Sequence, residues 1–528
     1  MAEVVLEHGV SGAPGARRLP RLSAVGAIIL APAVATLLLH LVLSAVQPSG
    51  YFRDEFYYVA CSQRLAWGYV DHPPLLPLLT RLVTTVLGDS ITALRLLPAV
   101  ASAAFVAISP IMAREFGGGR RAISIAAVAS AIPVIYLIHG GLLSPIALDH
   151  LIWAASALCL LRLLKTGDPR YWIPVGVLVG IGLENKHNAA FLAAAIAVGT
   201  LATSNRKYLR CPHLWAGAGL ALLIALPQLL WQIDHGWPTI EFARNAASEK
   251  NALGNMVDLP LVQVFAMNPL TFPIWITGLW WTLFSREGKR YRMLGLLWVV
   301  PFLLFVVQGG SRPDYLTPAY PALLAAGAVA IAGWRPFARS VWAPGGTVLA
   351  LVAGGLALLP LGVSVLPVGQ AESYVRALGL DEMEMEEGKT SVLPQWQADR
   401  FGWKEMTAKV AEVYRTLPEE EQAQATILTE NYGEAGAINF FGDKYGLPEA
   451  ISGHNNHYLW GPGEATGELV VGVGLDEDFL QQHFGSVQIV AVFTCEHCTS
   501  DENGLRIYLA RSPRQPLPEM WAAFKHYG

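Results

Sequence analysis

The sequence predicts a polytopic α-helical membrane protein that carries a C-terminal soluble α/β domain. Three observations carry that prediction. Of 528 residues, 53% are hydrophobic and only 15% charged. Apolar runs long enough to cross a bilayer recur up to Leu366. Beyond it the chain switches to short strand-like runs separated by Gly, Pro and Asn. A single soluble domain is excluded, because its surface would need far more charge. The net charge of −4 divides unevenly at Leu366: 26 Lys and Arg stand against 16 Asp and Glu before it and 11 against 25 after it, so the two parts carry +10 and −14. Neither part joins a large basic excess to a soluble basic face, which argues against nucleic acid as a partner.

Residues 1–21 read as a cytoplasmic tail holding Arg17, Arg18 and Arg21. Apolar spans then fall near 22–45, 91–113, 122–138, 146–164, 214–232, 259–284, 293–308, 315–333 and 342–366. The stretch 171–203 is apolar at both ends but broken by Glu184-Asn185-Lys186-His187, and basic loops flank it on both sides, so it reads as two short helices meeting at a tip. About eleven passes result. The tail and the segments around Arg114/Arg120/Arg121, Arg162/Lys165/Arg170, Arg206/Lys207/Arg210, Arg286/Lys289/Arg290/Arg292 and Arg335/Arg339 hold 18 cations, whereas the intervening loops 51–90, 139–150, 233–258 and 308–314 hold six. Excess Lys and Arg marks the cytoplasmic side, so the N-terminus is assigned there and residues 367–528 outside the cytoplasm. The first span is longer than a signal h-region and lacks an A-x-A-like cleavage site, which makes it an anchor.

The first outer loop, 46–90, is aromatic, charged and proline-marked rather than a Ser/Gly linker. Glu55 to Leu65 and Pro74 to Leu87 are each predicted as amphipathic helices lying in the interface, with Pro73-Pro74 suited to the second helix start. In the C-terminal part, strands are predicted at Ala425–Thr429, Glu468–Val473, Val487–Val492 and Leu505–Ala510, with helical periodicity at 403–416.

Asp54-Glu55 is the sharpest chemical feature, a carboxylate pair just past the first span. One carboxylate can take a proton from an acceptor hydroxyl while its neighbour holds it in place or ligates a cation. The competing assignment is that both acids simply suit the first turn of a helix. Asp149 opens the fourth span, where an acid at membrane depth is costly unless it faces a polar cavity. His139 and His150 flank the same opening, so a divalent metal is conceivable there, although no zinc-type ligand spacing occurs. Lys186 sits at the break of the hairpin, where a cation can hold a phosphate or pair with Glu184. Arg53, His72 and Arg312 are further phosphate candidates. Tyr315 and Tyr320 open a late span as interfacial anchors or cavity residues. Cys495 and Cys498, a C-x-x-C placed outside the cytoplasm, suggest a disulfide, while Cys61, Cys159 and Cys211 behave as small hydrophobes.

Several stretches together resemble the bacterial glycosyltransferase family 39, the membrane group that includes protein O-mannosyltransferases and the aminoarabinose transferase acting on lipid A. They are Arg53-Asp54-Glu55-Phe56-Tyr57-Tyr58, Gly68-Tyr69-Val70-Asp71-His72-Pro73-Pro74, the Asp149 region, Gly180-Ile181-Gly182-Leu183 with Lys186, Trp231 through Pro238, and Tyr315 through Pro321. Asn431 through Ala437 and Tyr458 through Gly463 look like the tail of one bacterial subgroup. The resemblance implies a C-type glycosyltransferase fold in the bacterial inner membrane. It further implies transfer of a sugar from a polyprenyl-phosphate donor, undecaprenyl phosphate being expected, to a glycan, lipid or protein acceptor, on the extracytoplasmic side and with inversion. Asp54 would be the catalytic carboxylate, Glu55 its partner and Asp149 the second acid, with Tyr57, Tyr58, Asp71, His139, Tyr315 and Tyr320 lining the cavity. Some relatives have Lys immediately before the paired prolines; here the residue is His72, so the phosphate contact passes to Lys186 and Arg53. The alternative is a transporter or flippase of lipid-linked sugars, whose paired repeats with matching broken helices are not evident. A binding module on an anchor is disfavoured, because one span would suffice.

Overall fold

The computed structural model describes residues 23–46, 50–249, 259–308, 312–381 and 390–528. The tail 1–21, with its three arginines, lies outside them. Among the described residues, seven helices are long and apolar enough to cross a membrane: Ala24–Val46, Ile91–Glu115, Pro145–Thr166, Pro212–Asp234, Gly288–Val307, Pro313–Gly333 and Ala343–Gly362. Two further crossings expected as unbroken runs are bent instead. Arg120–Ala131 meets Val134–Gly140 at 62°, where Pro133 removes a backbone donor, and Leu259–Ala266 meets Pro269–Phe284 at 98°, where Asn268 adopts φ 66° before Pro269. The broken hairpin supplies two shorter arms, Trp172–Asn185 and Ala189–Ala202. Counting each bent pair once, nine stretches among the described residues are long and apolar enough to cross, and the two hairpin arms, 14 residues each, are shorter than these.

Contacts between the ends of the helices sort them into two poles. At one, Glu115 accepts from Arg162 and Lys165, Arg121 donates to Ala338 O at 2.7 Å, and Tyr208 donates to Gly167 O at 3.4 Å. This pole gathers the basic clusters. The Tyr208 contact also brings the return arm of the hairpin back to its starting level, so its tip at Lys186–Asn188 lies at the opposite pole. The central helix runs from Tyr320 and is buried through Ala328. It touches Phe272–Phe284 so closely that a Cβ on Gly327 would overlap Ile274 O and one on Gly278 would overlap Leu323 O.

The two loop helices differ from each other. Leu75–Leu87 begins after the paired prolines and exposes Leu78, Leu82 and Val86 on one face, as an interfacial helix should. Arg53–Gln63 was expected to behave alike, but eight of its eleven residues are buried. It is covered by the C-terminal domain, whose contribution the local sequence does not reveal.

That domain contains a five-stranded sheet in the order β2-β1-β3-β5-β4, with β1 Ala425–Thr429, β2 Ala450–Ser452, β3 Leu469–Val473, β4 Phe484–Phe493 and β5 Leu505–Pro513. β1 pairs in parallel with β2 and β3, and β5 pairs antiparallel with β3 and β4. β2, three residues long, was not read from the sequence. Helix Trp403–Thr416 has the predicted bounds. Cys495 and Cys498 form a disulfide; Cys61, Cys159 and Cys211 are free.

The glycine contact of the central helix yields a test. Overpacking a close seam costs about 1–3 kcal/mol or more, so Gly327→Val and Gly278→Val are each expected to lower the thermal midpoint of the detergent-solubilised protein. Gly333→Val, where no atom lies within 4 Å of the added Cβ, is expected to leave it unchanged.

Candidate active site

The helix Arg53–Gln63 starts after Phe52, and its first turn carries both carboxylates. Glu55, at the third helical position, turns back to accept from Phe52 N at 2.9 Å, satisfying one of the amides that a helix start leaves open. The same carboxylate receives Arg95 Nε and Nη2, both at 2.8 Å, and Leu143 N at 3.0 Å. Glu55 and Arg95 are essentially fully buried. Burial alone would raise the Glu55 carboxyl, but the Arg95 guanidinium and the two backbone amides hold it below the usual carboxylate range. The helix-start assignment therefore describes Glu55, and nothing in its surroundings leaves it an oxygen for a cation.

Asp54 points the other way. Its side chain is 29% exposed; Oδ1 accepts from Tyr432 Oη at 2.8 Å and lies 3.7 Å from Arg53 Nε. Among the described residues Oδ2 accepts no hydrogen bond. Around it stands an aromatic wall. Tyr57 donates to Asp71 Oδ1 at 2.7 Å, and Tyr58 feels both Asp54 and Asp71, whose charges add to burial in pushing its phenol well above the usual value. His72 is buried, stacks on Tyr69 at 4.7 Å and sits with Nδ1 2.9 Å from Pro73 O, while Nε2 lies 4.0 Å from Asp71 Oδ1 and makes no hydrogen bond among the described residues.

Arg53, expected as a phosphate contact, is committed elsewhere. It is 6% exposed, its guanidinium lies 3.8 Å from Asp399 Oδ2 and over the Tyr432 ring at 5.6 Å, and its backbone N donates to Asp399 O at 3.2 Å. It clamps the loop to the C-terminal domain.

The second cluster forms at the hairpin tip. Lys186 Nζ donates to Asp314 Oδ2 at 2.8 Å, not to Glu184, and stands over the Tyr315 ring at 4.5 Å. Arg312 is 3.8 Å from the other Asp314 oxygen, with its side chain 45% exposed. Asp149 is fully buried and accepts from Asn188 Nδ2 at 2.8 Å, while Asn185 donates to Pro145 O at 2.9 Å, so the tip is stitched to the start of the third long helix, Pro145–Thr166. His150 lies 2.8 Å from Thr317 Oγ1, and His139 is next to it, with ring centroids 6.0 Å apart. Tyr320 does not line this opening: it is wholly buried, donates to Gln263 Oε1 at 3.1 Å and packs against Trp275 and Trp298.

The two clusters face one pole. The helix Pro212–Asp234 touches both: Gln228 Nε2 lies 3.1 Å from His187 Nε2, beside Lys186, and Gln232 and Thr239, which follows that helix, donate to Tyr69 O and Val70 O at 3.3 and 2.8 Å. Among the described residues no three His, Cys, Asp or Glu side chains are grouped to hold a metal ion. The residues that sequence reasoning missed are Arg95, Asp314, Asn188 and Tyr432. Arg95 carried a usable signal, a charge just inside an apolar run; the others gain meaning only from partners 128, 39 and 378 positions away.

Residues 71–231 match the family described as dolichyl-phosphate-mannose-protein mannosyltransferase. The lipid A galacturonosyltransferase RgtD of Rhizobium johnstonii is 24% identical over 347 residues, covering 64% of this chain and 72% of that protein. ArnT from Cupriavidus metallidurans shares the fold at 16% identity. Its structure bound to undecaprenyl phosphate gives a TM-score of 0.57, with 92% of this chain and 98% of that one covered, and its apo structure gives 0.54, with 92% and 97% covered. The chain is thus similar to glycosyltransferase family 39, as its motifs indicate, and has the C-type membrane fold with a C-terminal α/β domain. These comparisons support glycosyltransferase activity in a multi-pass membrane protein and do not favour the transporter reading.

Leaving one partner of a buried ion pair uncompensated costs about 3–5 kcal/mol. Arg95→Ala and Glu55→Ala are expected to remove most of the monodisperse protein from size-exclusion profiles, while Asp54→Asn leaves the profile intact. Because the Glu55 carboxyl is held below its unfolded value, its stabilisation is full at neutral pH and is lost as pH falls through the depressed value. Glu55→Gln is therefore expected to flatten the acid side of a stability profile measured against pH.

Proposed function

We propose that this chain transfers a sugar from a polyprenyl-phosphate donor to an acceptor hydroxyl, with inversion, on the extracytoplasmic face of a bacterial inner membrane. The observation that carries the reading is Asp54: a part-exposed carboxylate whose Oδ1 is held by Tyr432 and whose Oδ2 accepts no hydrogen bond among the described residues, at the same pole as Lys186. The wider division is a cytoplasmic tail 1–21, a membrane transferase part 22–366 with the outer loop 46–90, and an extracytoplasmic domain 367–528. The basic clusters of the opposite pole support that orientation.

In the proposed reaction, Oδ2 of Asp54 takes the proton of the acceptor hydroxyl as its oxygen bonds to the anomeric carbon. The bond from that carbon to the donor phosphate breaks on the opposite face, and the polyprenyl phosphate leaves with the electron pair. A phosphate leaving group needs fixed positive charge more than a proton. Lys186 supplies it, sharing its charge between the phosphate and Asp314, with half-exposed Arg312 beside them. Asp149 and Asn188 hold the tip that carries Lys186. His72 contributes a buried imidazole near the same tip, and Glu55 acts as a positioning residue for the helix rather than touching a reacting atom.

That ArnT was solved with undecaprenyl phosphate bound supports the donor class, and the name of RgtD, a lipid A galacturonosyltransferase, supports a glycolipid among the acceptor classes. A positioned general base contributes about 10²–10⁴-fold. Asp54→Asn is therefore expected to reduce transfer at least about a hundredfold in membranes supplied with undecaprenyl-phosphate sugars; near-normal turnover would overturn the reading. A hydrogen bond to a charged group contributes about 1.5–3 kcal/mol, so Lys186→Ala is expected to weaken binding of undecaprenyl phosphate by roughly 10- to 100-fold. Unchanged binding would remove Lys186 from the donor site.

A further inference from the structure

We infer that the C-terminal domain is part of the catalytic site and that Tyr432 is the residue through which it acts, positioning Asp54. This rests on the reading of Asp54 as the base.

The argument begins with how Tyr432 is held. It is the first residue of helix Tyr432–Phe441, whose N-cap Asn431 accepts from Gly433 N at 2.8 Å and Glu434 N at 3.0 Å, while the Glu434 carboxyl accepts from Glu430 N at 2.9 Å and Asn431 N at 3.2 Å. A turn capped in both directions gives its first side chain a fixed origin. This helix lies directly on Arg53–Gln63. At Gly436 a Cβ would come 2.8 Å from Phe56 Cβ, so only glycine permits the approach. Phe56 is then enclosed by Trp403, Phe440 and Phe441 at 5.6–5.9 Å. The Tyr432 ring is flanked by Tyr57 at 4.8 Å and His454 at 4.7 Å and covered by Arg53. Its hydroxyl reaches Asp54 Oδ1 at 2.8 Å across 378 residues of sequence.

A general base must present one oxygen along the line of the acceptor proton, and small misplacements are costly. Asp54 is part-exposed and would otherwise rotate; the Tyr432 hydrogen bond takes Oδ1 and fixes the carboxylate plane, leaving Oδ2 for the acceptor. Docking of the domain does not depend on this bond. Gly50 N donates to Arg400 O, Val70 N to Asn456 Oδ1, Trp396 Nε1 to Leu361 O and Gln397 Nε2 to Pro360 O, and Lys525 pairs with Glu241.

The test uses the full chain in membranes supplied with undecaprenyl-phosphate sugars. Tyr432→Phe keeps the ring and removes one hydroxyl. The expected result is a fall in kcat of about tenfold with the donor KM within about twofold and the thermal midpoint unchanged. Gly436→Ala presses the helix off Phe56 and is expected to lower kcat together with the thermal midpoint, which sets the purely structural effect against which Tyr432→Phe is read. An unchanged kcat in Tyr432→Phe, or a fall matched by a loss of stability and donor affinity, would overturn the inference. Asp54→Asn is measured alongside: if it transfers normally, the base assignment and this inference fall together, whereas an inactive Asp54→Asn with a normal Tyr432→Phe overturns this inference alone.

Discussion

The buried pair of Glu55 and Arg95 is the constraint on which the rest of the site depends. Four donors converge on one carboxylate: two from a guanidinium on the second long helix, one from the helix start at Phe52 and one from Leu143 before the next long helix. Three segments that are distant in sequence are thereby fixed to one another with both charges desolvated. Such a pair is not a large source of stability in itself, because the desolvation penalty offsets much of the attraction. Its effect is specific, since any other placement of the loop helix strands a charge in the interior. Successive residues on a helix lie about 100° apart. Once Glu55 points into the membrane body, Asp54 must point out of it, toward Tyr432 and the open side.

The same economy runs through the other buried charges. A cation at the hairpin tip would be prohibitive if unpaired, and Lys186 is accordingly neutralised by Asp314 and covered by Tyr315. Asp149 is buried with Asn188 as a donor. Both arrangements join the break in the hairpin to elements at one pole, which explains how a helix interrupted at Lys186–Asn188 keeps a defined geometry. Its irregular backbone is enclosed by protein rather than by lipid.

What the sequence made legible follows from the range of the interactions involved. Spans, the hairpin break and most strands are set by local hydrophobic pattern, and the structure has them within a few residues. The kinks at Pro133 and Asn268–Pro269 were visible as residues but not as angles, because apolar run length does not distinguish a straight helix from two bent segments. The Arg53–Gln63 helix has the composition of an interfacial helix. Only the docking of Tyr432–Phe441 on it, from nearly four hundred positions downstream, converts its outer face into a core. Asp54 and Lys186 stood out as charges in apolar surroundings; Tyr432 and Asp314 did not, since an aromatic in a soluble domain and an acid after Arg312-Pro313 have many ordinary uses.

Docking also changes the meaning of the few cations in the outer segments. Arg53 faces Asp399 and Arg64 pairs with Glu449, both acids of the C-terminal domain, and each stacks on an aromatic of that domain, Tyr432 and Trp460 respectively. These two arginines therefore answer the negative charge of the domain, which carries the −14 seen in the sequence. In the proposed reaction the positive charge facing the donor phosphate then narrows to the hairpin tip, where Lys186 and Arg312 both stand beside Asp314. Lys186 is held by Asp314 and covered by the Tyr315 ring, so in that reaction its ammonium would already be in place when the donor phosphate arrives.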